Sequence, residues 1–395
     1  MALLARLVDQ NSGTLNLQGV AKVGEMMRAE LEPLGFAVSW KPMDAVQRAG
    51  HLIAVHRGRP GGKRILLIGH LDTVFEPGSP FQKFVRTGDK AEGPGAGDDK
   101  GGMVVIVAAL RAMQAAGTLR DANIEIVLTG DEEDAGSPHS IARADLIAAG
   151  KRADVALDFE GLVIDGGKDM GSIARRSVTD WRITATGRTG HSSLIFGPDF
   201  GDGAINELAR ILAAFRKELP EPNLTFNAGL IAGGASAAID ESGNARAAGK
   251  TNIIAATAVA TGDFRTLSVE QTARVRARME AIVAAHAPGT DARIAFGEGY
   301  PAMAPTTGNK ALLAALNGVN RDLGLAEMAP LDPLKRGAGD ISFVAHDVDS
   351  LAGLGTYSTG DHAPGETVDL ASIRRQAKRA AILITRLGAE RSARQ

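Results

Sequence analysis

Histidines and carboxylates that could do chemistry together fall at five places in this chain: His70 with Asp72, Asp98 with Asp99, Glu132 with Glu133, Glu160, and His362 near the C-terminus. His70 and Asp72 alternate with Leu71, so both side chains can face one way, as a metal ligand and the carboxylate that orients it do. Taken alone, such a pair also fits a buried histidine satisfied by its neighbour. Buried carboxylates cost several kcal/mol unless they are paired or bound to a cation, so this many at one sheet edge favour a metal site. The chain has no cysteine, which excludes disulfides, thiolate ligands and a thiol nucleophile. Any metal must be held by His and carboxylates, a donor set that suits zinc, cobalt or manganese. Two metals would need a carboxylate shared between them.

The elements that must position these groups can be read from apolar runs. Residues 65–68 have the length and type of a buried strand and run into a glycine turn, which delivers His70 and Asp72 to the open edge of a sheet. The runs 124–128 and 155–159 are the strands that precede Glu132/Glu133 and Glu160. Residues 93–102 form a glycine-rich loop that opens a long helix over 103–116. Helices are expected up to about residue 36, and a strand over 51–56 with His51 and His56 as strand-end surface residues. Alternating strand and helix up to about 160 predicts an α/β fold with a largely parallel sheet covered by helices. From about 178 the pattern changes to half-exposed strands (179–186, 224–231, 252–260, 292–296) and two helices (203–219, 269–286), a small α+β domain inserted into the first. Helix-rich character returns over 310–323, 341–346 and 370–387, with Arg374, Arg375, Lys378 and Arg379 read as a solvated helix face. The expected division is 1–178 plus 295–395 for the α/β domain and 179–294 for the insertion.

At 395 residues the chain is long enough for two cores. A net charge of -2 offers no argument for a nucleic-acid or membrane partner. No apolar run approaches the ~18 residues of a membrane span, and the first ten residues lack a signal peptide's basic start and long apolar region. As it stands the chain reads as cytoplasmic; a leader preceding it would make it periplasmic or secreted. The glycine-rich loop has a competing reading as a phosphate cradle, but it lacks the G-K-[ST] ending and Asp98-Asp99 would repel phosphate. No G-x-S-x-G is present. The run D-E-E-D, in isolation, reads as a solvated acidic turn.

The ordered set G-H-L-D-T-V, G-A-G-D-D-K-G-G, T-G-D-E-E, L-D-F-E-G, G-R-T-G-H-S-S and G-D-H-A-P-G-E resembles the di-zinc exopeptidase and deacylase family. That family includes bacterial glutamate carboxypeptidase, acetylornithine deacetylase, succinyl-diaminopimelate desuccinylase and aminoacylase. The resemblance covers essentially the whole chain. It implies a zinc-exopeptidase-like catalytic domain and an inserted, ferredoxin-like dimerisation domain, so a homodimer through 179–294. It implies that Asp98 bridges two Zn2+ (Co2+ or Mn2+ as substitutes), with His70 and Glu160 completing one shell and Glu133 and His362 the other. Asp158, two residues from Glu160 on the same strand face, competes for its place. Asp72 would orient His70, and Glu132 would be the general acid/base that deprotonates a water shared by the metals.

In the insertion the resemblance implies that His191 reaches into the partner subunit's site to bind the carbonyl or oxyanion. Asn252 and Arg265 would hold the substrate's free carboxylate, an arginine fork being suited to it. Alone, Asn252 reads as a strand-end cap and Arg265 as a surface ion pair. Gly337 and Gly339, in G-A-G-D, would line the substrate pocket. His139, His286 and His346 match nothing and are expected to be structural or surface residues. The expected reaction is hydrolysis of an amide bond next to a free α-carboxylate in a small peptide or N-acyl amino acid, releasing a C-terminal residue. The similarity is closest to the glutamate carboxypeptidase branch, so glutamate is the first guess for that residue. The alternatives are an N-acyl-amino-acid deacylase and, from another class, a metal-dead binding protein of the same fold.

Overall fold

The structure is a computed structural model in which residues 1–240 and 242–392 are described. The chain divides into two compact units, Met1–Arg175 with Met303–Gln395, and Arg176–Ala302. Helices α1 (Ala2–Asp9) and α2 (Leu17–Leu31) open the first unit, followed by strands β1 (Ala37–Met43), β2 (Arg48–His56) and β3 (Arg64–His70). Helix α3 (Lys100–Ala115), β4 (Asn123–Thr129), α4 (Ala144–Arg152) and β5 (Val155–Asp158) come next. The second unit runs β6 (Thr179–Gly187), α5 (Gly203–Glu218), β7 (Thr225–Gly234), β8 (Thr257–Arg265), α6 (Val269–Ala284) and β9 (Thr290–Phe296). Helix α7 (Thr307–Asp322), β10 (Ser350–Leu351) and α8 (Leu370–Ala389) complete the first unit.

The first unit is built on a six-stranded sheet in the order β1-β2-β4-β3-β5-β10. β4, β3, β5 and β10 are parallel, and the β1–β2 hairpin adds antiparallel strands at one edge. Ile65, Leu66, Leu67 and Ile68 of β3 are all buried, as a strand covered on both faces requires. Successive side chains point to opposite faces: Ile65 and Leu67 join the core under α3 and α8, whereas Leu66 and Ile68 join one with Leu146 of α4 and Ile341. Each such side chain contributes roughly 1.5–3 kcal/mol by leaving water. The register pairs His70 with Thr129 and Ile68 with Asp158, so three parallel strands end together and release their loops at one edge of the sheet.

The second unit has a four-stranded antiparallel sheet in the order β7-β8-β6-β9. With its β-α-β-β-α-β sequence this is a ferredoxin-like arrangement. Trp181, Ile183 and Ala185 of β6 face Leu208, Ile211 and Phe215 of α5 and Met279 of α6, giving this unit a core of its own. Ser268 caps α6 by accepting from the Gln271 N–H at 3.1 Å.

Four local expectations are corrected. The strand expected over 252–260 begins at Thr257, because Asn252 and Ile254 hydrogen-bond the 190–192 turn instead of extending the ladder. His51 is fully buried: the Gly130 N–H donates to its Nδ1 (3.2 Å) and its Nε2 lies 2.7 Å from the Ala142 carbonyl. Arg379 is buried rather than solvated, held by Asp169, Asn320 and Gln376 in place of its hydration. The helix expected over 341–346 is a single short turn, Asp340–Phe343. No helix among the described residues is long and apolar enough to cross a membrane.

Candidate active site

Asp98 lies between two histidines. Its Oδ1 is 3.1 Å from His70 Nε2 and its Oδ2 is 3.1 Å from His362 Nε2. His362 Nε2 is also 3.2 Å from Glu133 Oε2. His70 arrives at the end of β3, Glu133 on the turn after β4, Asp98 on the loop before α3 and His362 on the loop before α8. Four loops far apart in sequence thus meet at the edge where the parallel strands stop, the usual place for a site in such a sheet.

Asp72 ties two of these loops together. Its Oδ1 lies 3.3 Å from His70 Nδ1 and accepts from the Glu132 N–H at 3.0 Å. Its Oδ2 accepts from the Glu133 N–H at 3.1 Å and from Thr14 Oγ1 at 2.7 Å. His70 Nδ1 also lies 3.1 Å from the Asp72 main-chain carbonyl, so Asp72 orients the ring through both its carbonyl and its carboxylate, and the carboxylate holds the turn that carries Glu132 and Glu133. Asp99 occupies the space between β3 and α3, where a Cβ on Gly69 or Gly102 would come 2.6 or 2.1 Å from its carboxylate.

Glu160 follows β5. Its Oε2 and the carboxylate of Asp158 both take the Arg175 guanidinium, at 2.5 and 3.2 Å, while its Oε1 is buried with no hydrogen-bond partner. Gly337 and Gly339 lie against the same guanidinium: Arg175 donates to the Gly337 and Ala338 carbonyls, and a Cβ on Gly339 would come 2.2 Å from it. In the second unit, His191 and Asn252 are neighbours through the Ser192 N–H to Asn252 carbonyl bond and the His191–Ile253 bridge. Arg265 sits at the far end of β8, its Nε on Asp263 at 2.9 Å. That nine-residue strand spans roughly 25 Å.

Several carboxyls of the site are shifted from their ordinary range. Burial and then the charge of Glu160 push the Glu132 carboxyl well above the ordinary range. Burial and then the charge of Asp98 raise Glu133 to about 8. Burial and then Glu160 raise Asp158 to about 7. Asp98 goes the other way: burial opposes its charge, but hydrogen bonds from His362 and His70 outweigh it and hold it below the ordinary range. Burial is the first cause of each upward shift and a neighbouring acid the second, although Arg175 and Arg336 already pair with Glu160; a divalent cation among these carboxylates would offset both. The donors fit one: His70, Asp98 and Glu133 bring ligand atoms within 4.8 Å of one another, the set is nitrogen and oxygen only, and Glu160 Oε1 offers a further unpartnered oxygen.

Residues 66–386, which include every ligand candidate, match the peptidase family M20/M25/M40. The chain belongs to that family. It is 29% identical over 395 residues to carboxypeptidase G2 of Pseudomonas sp. (strain RS-16), covering 98% of this chain and 88% of that one. It is 25% identical over 400 residues to succinyl-diaminopimelate desuccinylase of Variovorax paradoxus, covering 94% of each. Among solved structures it shares its fold with a dinuclear metal-binding peptidase of the M20 family from Bacillus subtilis, with TM-score 0.65, 17% identity, and coverage of 97% and 96%. The protein is an M20 hydrolase of the metallopeptidase and amidohydrolase type.

Residues that sequence reasoning passed over support this site. Arg143, fully buried, donates to Asp131 (2.6 Å) and Asp340 (2.7 Å) beneath the Glu132–Glu133 turn. Asp131 stands in the T-G-D-E-E motif, which marked it, but nothing near Arg143 signals a partner. Arg175 carried no signal either. Glu366 ends the motif around His362 and accepts three backbone N–H bonds from the glycine-rich loop.

Proposed function

We propose that this protein is a carboxypeptidase that hydrolyses the amide bond preceding a free C-terminal amino acid, with glutamate as the preferred released residue. The observation that carries the reading is the Asp98 carboxylate, one oxygen toward His70 and the other toward His362, as a bridge between two cations needs. Two zinc ions, with cobalt or manganese as substitutes, would be held by these residues, one by His70, Asp98 and Glu160 and the other by Asp98, Glu133 and His362. Bound there, they supply Lewis-acid activation of a water and of the substrate carbonyl.

The chain's own groups do the rest. Asp72 accepts from His70 Nδ1 and so leaves Nε2 to face the centre. Glu132 takes a proton from the attacking water and returns it to the leaving amine nitrogen. Arg265 exchanges Asp263 for the substrate's α-carboxylate, and Asn252 hydrogen-bonds the same substrate. Gly337 and Gly339 line the substrate pocket beside Arg175, whose guanidinium leaves no room for a Cβ at Gly339. His191 and Asn252 stand at the opposite end of β8 from Arg265, which supports a homodimer in which one subunit supplies His191 and Asn252 to its partner's site.

Similarity to carboxypeptidase G2 over nearly the full length favours the carboxypeptidase; similarity to the desuccinylases favours an N-acyl-amino-acid deacylase as the second reading. A panel of N-acyl and peptidyl amino acids, assayed with metal-replete and chelated protein, separates them. We expect turnover of substrates ending in glutamate, its loss on chelation by at least about 100-fold, consistent with the several kcal/mol a catalytic cation supplies, and recovery with added zinc. Broad turnover of acetylated amino acids selects the deacylase. No hydrolysis with metal bound would leave a binding protein of this fold.

A further inference from the structure

The glycine-rich loop before α3 turns its backbone N–H groups inward, and its anion is the chain's own. Glu366 is 1% exposed. Its Oε1 accepts from the N–H groups of Gly97 (2.7 Å) and Asp98 (3.0 Å), and its Oε2 from that of Gly95 (2.9 Å). Successive N–H groups converging on one point form an anion-binding nest, and hydrogen bonds to a charged acceptor are the strong kind. The glycines permit it. Gly95 has φ +71°, and a Cβ on Gly97 would come 2.2 Å from Ser358 Cβ. The place a phosphate takes in a phosphate-binding loop is filled here by a carboxylate 268 residues from Asp98.

That carboxylate also belongs to the His362 segment. The Glu366 N–H donates to the Ala363 carbonyl (3.1 Å), and its carbonyl accepts from the Gly93 N–H (3.1 Å). Immediately after it, Thr367–Asp369 pairs with Lys90–Glu92. The loop that presents Asp98 and the loop that presents His362 are therefore bound to each other through Glu366 at both its main chain and its side chain. The buried Lys100 on the first turn of α3 feels the charge of Glu366 and anchors its own Nζ on the Gln10 carbonyl at 2.9 Å.

We infer that Glu366 is a positioning residue of the metal centre, filling the loop's anion nest so that Asp98 is held between His70 and His362 before any cation binds. The inference rests on the metal-centre reading above. It accounts for the motif G-A-G-D-D-K-G-G as a frame for an internal carboxylate, and it assigns the last residue of G-D-H-A-P-G-E a role apart from ligation.

The test uses the full chain with Glu366→Gln and Glu366→Asp. The glutamine amide turns an N–H toward a backbone N–H where an acceptor stood; the aspartate keeps the charge but shortens the reach. Zinc affinity is read by competition with a chelator, and kcat and KM on whichever substrate the wild type hydrolyses. Outer partners of metal ligands typically tune affinity or activity by about 10–100-fold. We expect Glu366→Gln to lose zinc affinity by that factor and kcat with it, with KM changed by less than about 3-fold, and Glu366→Asp to fall between. Zinc in excess should restore part of the Glu366→Gln rate, while the denaturant midpoint of the metal-free variant stays near that of the metal-free wild type, which a fold defect would not allow. Wild-type zinc affinity in Glu366→Gln overturns the inference.

Should neither variant fold, amide exchange in the wild type decides. The N–H groups of Gly95, Gly97 and Asp98 are expected to be protected equally with and without zinc; protection that appears only with zinc means the metal, not Glu366, orders the loop. Wild-type protein that takes up no zinc overturns the metal-centre reading instead, and the exchange result still judges whether Glu366 holds the loop.

Discussion

Glu132→Gln is expected to bind its metal normally and to lose turnover by about 10²–10⁴-fold, the range assigned to a positioned general acid or base. The substitution keeps the size of the side chain and removes only its capacity to take a proton. What fixes residue 132 is its own N–H on Asp72 Oδ1 at 3.0 Å, which the variant retains, so the fold and the neighbouring Glu133 stay in place. Glu133 and His362 keep their mutual position through Asp98 and Asp72, and metal stoichiometry should match the wild type. The raised pKa of Glu132, caused first by burial and then by the charge of Glu160, means that it holds a proton more readily than an ordinary glutamate. An acid limb in the pH profile of kcat/KM that vanishes in the variant would agree with this. Near wild-type kcat with metal bound would sink the assignment.

The second large effect concerns stability. Arg143 lies between Asp131 and Asp340, bonded to Asp131 Oδ1 at 2.6 Å, the Asp131 carbonyl at 2.9 Å and Asp340 Oδ1 at 2.7 Å. All three residues are buried. Removing one partner of such a set leaves uncompensated charge in a medium that cannot solvate it, at a cost of roughly 3–5 kcal/mol. Arg143→Met should therefore lower the denaturant midpoint sharply. The triple variant Arg143→Met, Asp131→Asn, Asp340→Asn should recover much of the loss, because neutral groups no longer need the cation. An unchanged midpoint in the single variant would show that water or protonation relieves the two acids. Since Asp131 directly precedes Glu132, metal affinity is expected to fall along with stability.

The two effects differ in how visible they are from residue types. Glu132 stands in a motif whose acids, in order with the other motifs, single out a hydrolytic centre. Arg143 stands at the turn just before α4 with no motif around it, and its partners lie 12 and 197 residues away. The same contrast holds elsewhere. The strand 65–68 was readable because a short apolar run of this length and residue type, ending at a glycine turn, fits a strand covered on both faces. The start of β8 was not, since N-I-I-A-A is apolar enough for a strand and only its bonds to the 190–192 turn withdraw it from the ladder. His51 looked like a strand-end residue, yet β2 is an interior strand and its environment comes from residues 130 and 142.

From the amino-acid order alone one could determine the fold class, the kind of donor a metal would meet and the loops that bear them, because these follow from local periodicity and from side-chain chemistry; the family followed from the resemblance of the ordered motifs. Folding alone decided that Asp98 divides its two oxygens between His70 and His362, that Arg175 occupies one oxygen of Glu160, and that Glu366 fills the glycine loop. Each depends on groups distant in the chain becoming neighbours at a few ångströms. Hydrogen bonds and charge interactions at that range have no local signature in sequence, because their partners are chosen by the packing of the whole sheet.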